Sequence, residues 1–252
     1  MIVESLESQE RYDAENLIKE VFFASGNRSL TPAEAKDYLE ELSLKGGELL
    51  YLGAYEDGLL EALIGYDEEY RIRYFPCREG KEHLAEALFE ELRNRAEKEN
   101  VARITAKAVN AEVSFYETLG FERLDEAGIY VMLEYLCQKA WLGKEVTVTI
   151  DRPYGSFHPH YPDTQYPCNY GYVEEVLAKD GEFQDAYVIG VNEPLDQYRG
   201  IVSAIIYRRN DVESKWIVTN GRQLPKKTVI DSVGMIEQYF DTRIVWLEDE
   251  KA

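Results

Sequence analysis

Residues 165–187 read QYPCNYGYVEEVLAKDGEFQDAY and combine tyrosines with carboxylates around a glycine turn. The side chains able to do chemistry here are Tyr166, Tyr170, Tyr172, Asp180, Glu182 and Asp185. Carboxylate oxygens bind Mg²⁺, and a phenol donates hydrogen bonds that suit phosphate oxygens. The stretch therefore fits a cation-dependent phosphate site, but it also fits the rim of a β-barrel, and both interpretations stay open.

The net charge of the chain limits its partners. At −20 it argues against nucleic acid, whose binding depends on clustered Lys and Arg. The same charge repels small anions at long range. A phosphorylated substrate would therefore need a local group of positive side chains or a divalent cation.

Length and composition predict a globular protein. The 252 residues, 45% of them hydrophobic, are enough for two domains. No apolar run approaches the roughly 18 residues of a membrane span, and the acidic start does not read as a signal peptide. We therefore expect a cytoplasmic protein without a membrane partner. The three cysteines have no C-x-x-C spacing, so neither disulfides nor a thiolate zinc site is predicted.

The first half alternates helical and extended segments. Strands are predicted in IVESL, LLYLGAYE, LLEALIGY, IRYF, ARITAKAV and GIYVMLEYL, and helices in AENLIKEVFFAS, AEAKDYLEEL, HLAEALFEELRNRAEKEN and AEVSFYETLG. Asp57-Gly58 predicts a tight hairpin turn between two of these strands.

The second half is richer in strands. VTVTI, AYVIGV, GIVSAIIYRR and KWIVTN read as strands, and KKTVIDSVGMIEQYF reads as a closing helix. The pattern changes at Gly143-Lys144, which predicts two domains, residues 1–140 and 141–252.

The segment AVNAEVSFYETLGFERLDEAGIYVMLEYL resembles the C-terminal signature of the GNAT acetyltransferase superfamily. Together with the element order, this resemblance covers nearly all of residues 1–136. It implies an α/β fold with a mixed sheet and an activity that uses acetyl-CoA. It implies that Tyr116 protonates the departing thiolate and that Asn110 lies along the pantetheine arm. The plainer alternatives are that Tyr116 is a packing residue and that Asn110 caps the helix starting at Ala111.

The coenzyme loop departs from that resemblance. GNAT enzymes hold the coenzyme A diphosphate on an R-x-x-G-x-G turn at a helix N-terminus, whereas this chain has REGKEH. Arg78, Gly80 and Lys81 are the candidate coenzyme-binding residues, with Lys81 and His83 at the two glycine positions. We therefore expect weak binding of acetyl-CoA, strengthened when Lys81 and His83 are replaced by glycine.

The segment YPCNYGYVEEVLAKDGEFQDAYVIG resembles the core motif of family I soluble inorganic pyrophosphatases. The resemblance runs from Val146 to Tyr239 and implies an OB-like five-stranded barrel that binds Mg²⁺. It implies metal binding by Asp180, Asp185 and Glu213. It further implies catalytic or phosphate-binding roles for Asp185, Tyr170 and Lys215.

Several positions differ from the pyrophosphatase pattern. Arg208 replaces a metal-binding aspartate and would substitute for the charge of a lost metal ion. Thr149 replaces a metal carboxylate, and the late Tyr-Lys pair becomes Tyr239-Phe240. Basic side chains remain for a phosphorylated substrate, and the candidates are Arg152, His158 and Arg208, with His160 nearby.

These motifs allow functions of different classes. The first is a two-module enzyme, a Mg²⁺-dependent phosphohydrolase fused to an acetyl-CoA-dependent N-acetyltransferase-like domain, acting on a phosphorylated small molecule and an acyl acceptor. The second is a non-catalytic sensor in which both modules have lost activity. The third is an acetyltransferase whose second domain only shapes the acceptor site.

Overall fold

The computed structural model describes residues 2–3, 13–14, 16–18, 20–21, 49–158, 165–222, 224–247 and 249. The helix predicted at AEAKDYLEEL and His160 lie outside these residues. The chain divides into two compact units, one of residues 1–96 and 103–136 and the other of residues 97–102 and 137–252. Within the described ranges, no helix is long and apolar enough to cross a membrane.

The first unit contains a seven-stranded mixed sheet. Its strands are β1 (Ile2–Val3), β2 (Leu50–Glu56), β3 (Leu59–Tyr66), β4 (Arg71–Tyr74), β5 (Arg103–Val109), β6 (Glu122–Ala127) and β7 (Tyr130–Leu136). They lie in the order β1-β2-β3-β4-β5-β7-β6, and only the β4–β5 pair among them is parallel. Residues 13–14, 16–18 and 20–21 are helical. The predicted α/β mixed sheet is confirmed.

The hairpin between β2 and β3 forms where the sequence predicts it. Asp57 has φ 50° and Gly58 has φ 81°. Two successive positive φ values define a tight turn whose twist matches that of the strands beside it. The turn fixes which residues of β3 face the core, where Leu60 and Leu63 are buried.

Two helices follow the central strands. The first, α1 (Glu82–Lys98), buries Ala85, Leu88, Phe89, Leu92 and Ala96, which recur at helical spacing. The second, α2 (Asn110–Thr118), begins directly after β5 and buries Val113 and Tyr116. Because α2 starts where β5 ends, its inward face is held beside the end of that strand.

The parallel strands β4 and β5 pair for only a short distance. Arg71 lies opposite Thr105 and Ile72 opposite Ala106, and the pairing goes no further. Beyond these two pairs the strands separate, which leaves an opening between the end of β4 and the end of β5.

The second unit contains a closed five-stranded barrel. Its strands are β8 (Glu145–Arg152), β9 (Asn169–Leu177), β10 (Phe183–Val188), β11 (Gln197–Arg208) and β12 (Ser214–Thr219). They pair in the order β8-β9-β10-β12-β11, and β11 returns to β8. β10 and β12 are parallel. This is the OB-type arrangement that the sequence predicts.

Three further elements complete this unit. A 3₁₀ helix (Cys137–Trp141) precedes β8, and α3 (Lys226–Glu237) and β13 (Thr242–Trp246) follow β12. β13 pairs with β11. Buried residues of α3 pack on the barrel core, which includes Tyr187, Ile206 and Ile217.

The sequence does not predict strands β6, β9 and β13. β6 reads ERLDEA and is almost wholly exposed, so it lacks the apolar alternation of a half-buried strand. β9 places Glu174 and Glu175 side by side on its exposed part, which interrupts the alternation. These strands form through pairing with neighbours, and local pattern does not encode that pairing.

Gly171 in β9 is required by close backbone contact. A Cβ at this position would lie 1.9 Å from the carbonyl oxygen of Thr149 in β8. We expect Gly171→Ala to lower the free energy of unfolding by about 3 kcal/mol or more, the upper range for overpacking. Urea denaturation measures the difference.

Gly234 in α3 is the matched control for Gly171. A Cβ there would meet nothing within 4 Å. Gly234→Ala should raise the free energy of unfolding by roughly 0.5–1 kcal/mol, since alanine favours helix. Equal effects of the two substitutions would contradict the close approach of β8 and β9.

Candidate functional site

A cavity of about 210 Å³ lies in the opening between β4 and β5 in the first unit. Apolar side chains from the end of β4 and from α2 form much of its wall, including Phe75, Pro76 and Phe115. Charged side chains also line it, namely Arg73, Glu82, Lys107 and Glu112. An apolar cavity with a few polar groups is the usual form of a small-molecule site.

Tyr116 lines this cavity from α2 and is itself buried. Its ring packs edge-on against Phe75 and Phe121. Burial, together with the nearby charge of Glu112, raises the pKa of the Tyr116 phenol well above 10. The phenol therefore keeps its proton at neutral pH while it also packs, so both interpretations of Tyr116 from the sequence are compatible.

Cys77 lies in the same cavity wall as a free thiol. Burial raises the pKa of this thiol to about 11, and Glu82 adds to the shift. A thiol with so high a pKa is a poor nucleophile at neutral pH. Cys77 therefore contributes to the wall rather than to chemistry.

The coenzyme-loop candidates lie between β4 and α1. The Arg78 guanidinium donates to both carboxylate oxygens of Glu20, at 3.0 and 2.9 Å, and to Glu61 at 3.0 Å. Lys81 forms an ion pair with Glu56. The roles of Arg78, Gly80 and Lys81 stay predictions, but both cations are already held by carboxylates of the chain.

Asn110 is the first residue of α2, and its side chain is exposed. The helix N-cap is Val109, whose N–H donates to the Glu112 carboxylate at 3.2 Å. The alternative that Asn110 caps a helix starting at Ala111 is therefore wrong. Its predicted role along a pantetheine arm stays a prediction.

In the second unit, an acidic cluster forms at the barrel around Lys215. The buried Lys215 ammonium of β12 bonds to both Asp185 of β10 and Glu213. The Tyr170 phenol of β9 is hydrogen-bonded to Asp185, and burial with that charge raises the Tyr170 pKa well above 10. The structure thus brings together Asp185, Tyr170 and Lys215, the residues of the barrel predicted to be catalytic.

Asp180 lies in the turn between β9 and β10 and contacts the same cluster. Its Oδ1 accepts the Glu182 N–H at 3.0 Å, and its carboxyl group is hydrogen-bonded to Glu213. Burial raises the pKa of Glu213, Lys215 opposes this shift, and Asp180 and Asp211 add to it. The three predicted metal ligands are therefore linked through one cluster, in which Asp180 bonds to Glu213, and Glu213 and Asp185 both bond to Lys215.

Arg208 at the end of β11 is held by carboxylates. Its guanidinium donates to both Glu237 oxygens, at 3.0 and 2.7 Å, and to Asp211 at 3.3 Å. Glu213 lies 3.6 Å from the guanidinium. Tyr187 donates to Glu237 at 2.7 Å, and the Phe240 ring lies 3.7 Å from the Arg208 Cζ. Only about 5% of Arg208 and of Glu237 is exposed, so this is a buried ion pair.

Arg152 and His158 form a separate group. Arg152 pairs with Asp151 at 2.8 Å and is hydrogen-bonded to Tyr166. The His158 ring stacks on Tyr166, with centroids 6.0 Å apart. Tyr166 in turn stacks on Tyr170 at 6.0 Å, which connects this group to the acidic cluster.

The residues predicted to bind Mg²⁺ do not fit a divalent cation in this arrangement. Mg²⁺ requires near-octahedral oxygen ligands. Among the described residues, no group of three or more His, Cys, Asp or Glu is placed to hold a metal ion. A divalent ion at Glu213 would also lie close to the positive charges of Lys215 and Arg208, and each such pair costs about 4 kcal/mol per unit charge at 4 Å near a surface.

Sequence reasoning missed the partners of the predicted cations. These are Glu20, Glu56, Glu61 and Glu237. Glu237 is 29 residues from Arg208 along the chain. The excess of acidic residues signalled that cations would be paired, but it could not say with which carboxylates.

The buried Arg208–Glu237 pair should be sensitive to removal of one partner. Arg208→Met leaves the Glu237 carboxylate buried without its cation, so we expect a loss of about 3–5 kcal/mol in the free energy of unfolding. The double variant Arg208→Met with Glu237→Gln should recover much of this loss. Urea denaturation measures the free energy of unfolding of the unmodified protein, the single variant and the double variant.

Arg222 is exposed and serves as the control for Arg208. Arg222→Met should change the free energy of unfolding by no more than about 0.5 kcal/mol. If Arg208→Met and Arg222→Met had the same free energy of unfolding, the buried Arg208–Glu237 pair would not stabilise the barrel.

The chain is similar to solved proteins of two kinds. No curated protein matches the chain. A solved GCN5-related N-acetyltransferase from Rhodopseudomonas palustris is 10% identical, with 54% of this chain and 94% of that chain covered and a TM-score of 0.47. The PaiA N-acetyltransferase from Thermoplasma acidophilum, solved with coenzyme A, is 15% identical over 54% of this chain and 99% of its own, with a TM-score of 0.45.

For the C-terminal part, an inorganic pyrophosphatase from Neisseria gonorrhoeae is 17% identical. It covers 43% of this chain and 86% of its own, with a TM-score of 0.36. Likenesses this distant assign no residue a role. The model of the acetyltransferase (GNAT) domain family matches residues 76–130, which follow β4 and contain α1, β5, α2 and β6. Over residues 76–130 the chain is therefore similar to the GNAT acetyltransferase domain, and it continues into an OB-type barrel.

Proposed function

We propose that the first unit transfers an acyl group from a thioester, of which acetyl-CoA is the simplest example, to a small amine. The observation that carries this proposal is the cavity between β4 and β5, where the Tyr116 phenol meets an apolar wall. The match of residues 76–130 to the acetyltransferase (GNAT) family supports it.

The cavity has the composition that this reaction needs. Phe75, Pro76 and Phe115 supply apolar surface for an acyl chain and the start of a thioester arm. Water is excluded from such a surface, which limits hydrolysis of the thioester and strengthens hydrogen bonds to the reacting atoms. The wall also carries two carboxylates, Glu82 and Glu112, that can bind an ammonium group, and two cations, Arg73 and Lys107, that balance their charge.

A bound thioester supplies an activated carbonyl, whose C–S bond breaks as the amine nitrogen bonds to the carbonyl carbon. The departing sulfur then needs a proton, and we assign its donation to the Tyr116 phenol, which lines the cavity. The amine loses a proton in the same reaction, and Glu112 is the carboxylate of α2 able to accept it. An amine that arrives protonated first gives one proton to solvent, because only the free amine attacks. The proton that Glu112 then takes from nitrogen matches the one that Tyr116 gives to sulfur, and its return to Tyr116 through solvent restores both groups.

A Mg²⁺-dependent phosphohydrolase in the barrel remains the second candidate, as the sequence motif predicts. The convergence of Asp180, Asp185 and Glu213 supports it, whereas the pairing with Lys215 and the nearby Arg208 argues against it. We derive no hydrolytic step from this arrangement. A non-catalytic barrel fits these contacts better. The division into domains of residues 1–140 and 141–252 and a cytoplasmic location stay predictions.

Tyr116→Phe tests the proposed function. It removes the proton donor but keeps the packed ring, so we expect kcat to fall roughly 10²-fold with little change in thermal stability. Thiol release from acetyl-CoA and from S-acetylpantetheine, measured with a panel of amines, gives the rates. Because the Tyr116 pKa lies well above 10, this group should cause no loss of activity below pH 10.

Tyr135→Phe is the matched control. Tyr135 lies in β7 of the first unit. It packs on Phe89 and Phe121, but it does not line the cavity. Its loss should leave kcat within about twofold, since it offers no proton to the reacting sulfur. No thiol release with any amine, or equal rates for Tyr116→Phe and the unmodified protein, would refute the proposed function.

A further inference from the structure

The turn before α1 places a carboxylate of the chain where a bound anion would lie. The Gly80 N–H donates to Glu82 Oε1 at 2.9 Å, and Gly80 has φ +80°. Glu82 is the first residue of α1. The exposed N–H groups of a helix N-terminus attract anions, and here the Glu82 carboxylate already accepts from them. Hydrogen bonds from the backbone N–H groups of Glu82 and Gly80 accordingly lower the pKa of Glu82.

The side-chain cations of this turn are also occupied. Arg78 is held by Glu20 and Glu61, and Lys81 by Glu56. Counting Glu82, four carboxylates accept hydrogen bonds or ion pairs from this turn, which carries the two cations Arg78 and Lys81. A diphosphate brought here would meet this excess negative charge and would have to displace each of these contacts.

We propose that this turn is closed to diphosphates, so that the thioester donor is recognised by its acyl and pantetheine end and not by a nucleotide diphosphate. The statement about the donor rests on the proposed function, but the closure of the turn does not. Glu82 is the specificity-determining residue, because it accepts from the turn and also lines the cavity. The donor class is therefore a pantetheine thioester, for which the nucleotide of coenzyme A adds no affinity.

The structure also changes which substitution should open the turn. The sequence points to Lys81 and His83, because they stand at the glycine positions of the GNAT motif. Lys81 is one of the two cations of the turn, so its replacement by glycine removes positive charge and leaves Glu82 in place. Glu82→Ala instead removes the carboxylate that accepts from Gly80.

Calorimetric titration of the full chain without divalent cations tests the closure of the turn. The titrant is ADP, and the proteins are unmodified, Glu82→Ala and Glu86→Ala. Glu86 lies one turn further along α1, is exposed, and carries the same charge, so it controls for net charge. We expect Glu82→Ala to bind ADP at least about tenfold more tightly than the other two. Equal affinity in all three proteins, including equal absence of binding, overturns the proposal.

The thioesters test the statement about the donor. For the unmodified protein, acetyl-CoA and S-acetylpantetheine should have Kd values within about threefold of each other, and Glu82→Ala should tighten only acetyl-CoA. Acetyl-CoA binding tenfold or more tightly than S-acetylpantetheine to the unmodified protein overturns the inference and leaves the proposed function standing. If neither thioester binds any of the proteins, the proposed function fails, and the ADP titration still decides whether Glu82 closes the turn.

Discussion

The excess of acidic residues is the constraint on which both candidate sites depend. At a net charge of −20, a basic side chain near a site is more easily neutralised by the chain than by a ligand. Arg78, Lys81, Arg208 and Lys215 all contact carboxylates of the chain. The residues that the two motifs would offer to phosphate oxygens are therefore paired within the chain, in the coenzyme turn and in the barrel alike, for the same electrostatic reason.

In the barrel, the substitutions act together. Arg208 replaces an aspartate of the pyrophosphatase pattern, and Phe240 replaces the lysine of its late Tyr-Lys pair. The two substituted side chains contact each other, since the Phe240 ring lies 3.7 Å from the Arg208 Cζ. A cation in place of a carboxylate would be costly when buried, but Glu237 pairs with it through two hydrogen bonds. The buried charge of Arg208 is therefore compensated within the barrel.

The sequence predicted the elements better than their contacts. Helices α1 and α2 and the Asp57-Gly58 hairpin were predictable, because spacing and turn chemistry are local. Strands β6 and β9 were not, since pairing partners distant along the chain define them. The same limit applies to the sites. The motifs correctly indicated Tyr116 on a helix face and Asp185 near Lys215, but the carboxylates that hold Arg78 and Arg208 come from other segments and follow no motif.

The cavity differs from these charged groups because it depends on backbone geometry. β4 and β5 separate after two paired residues, and α2 follows β5 at once, so the opening and its Tyr116 wall do not rely on an ion pair. Losing phosphate contacts at the turn would therefore leave the cavity intact. A site built in this way separates the chemistry of the thioester from the recognition of its nucleotide. The apolar wall and the Tyr116 phenol remain available to a donor even though Glu82 takes the place of its diphosphate.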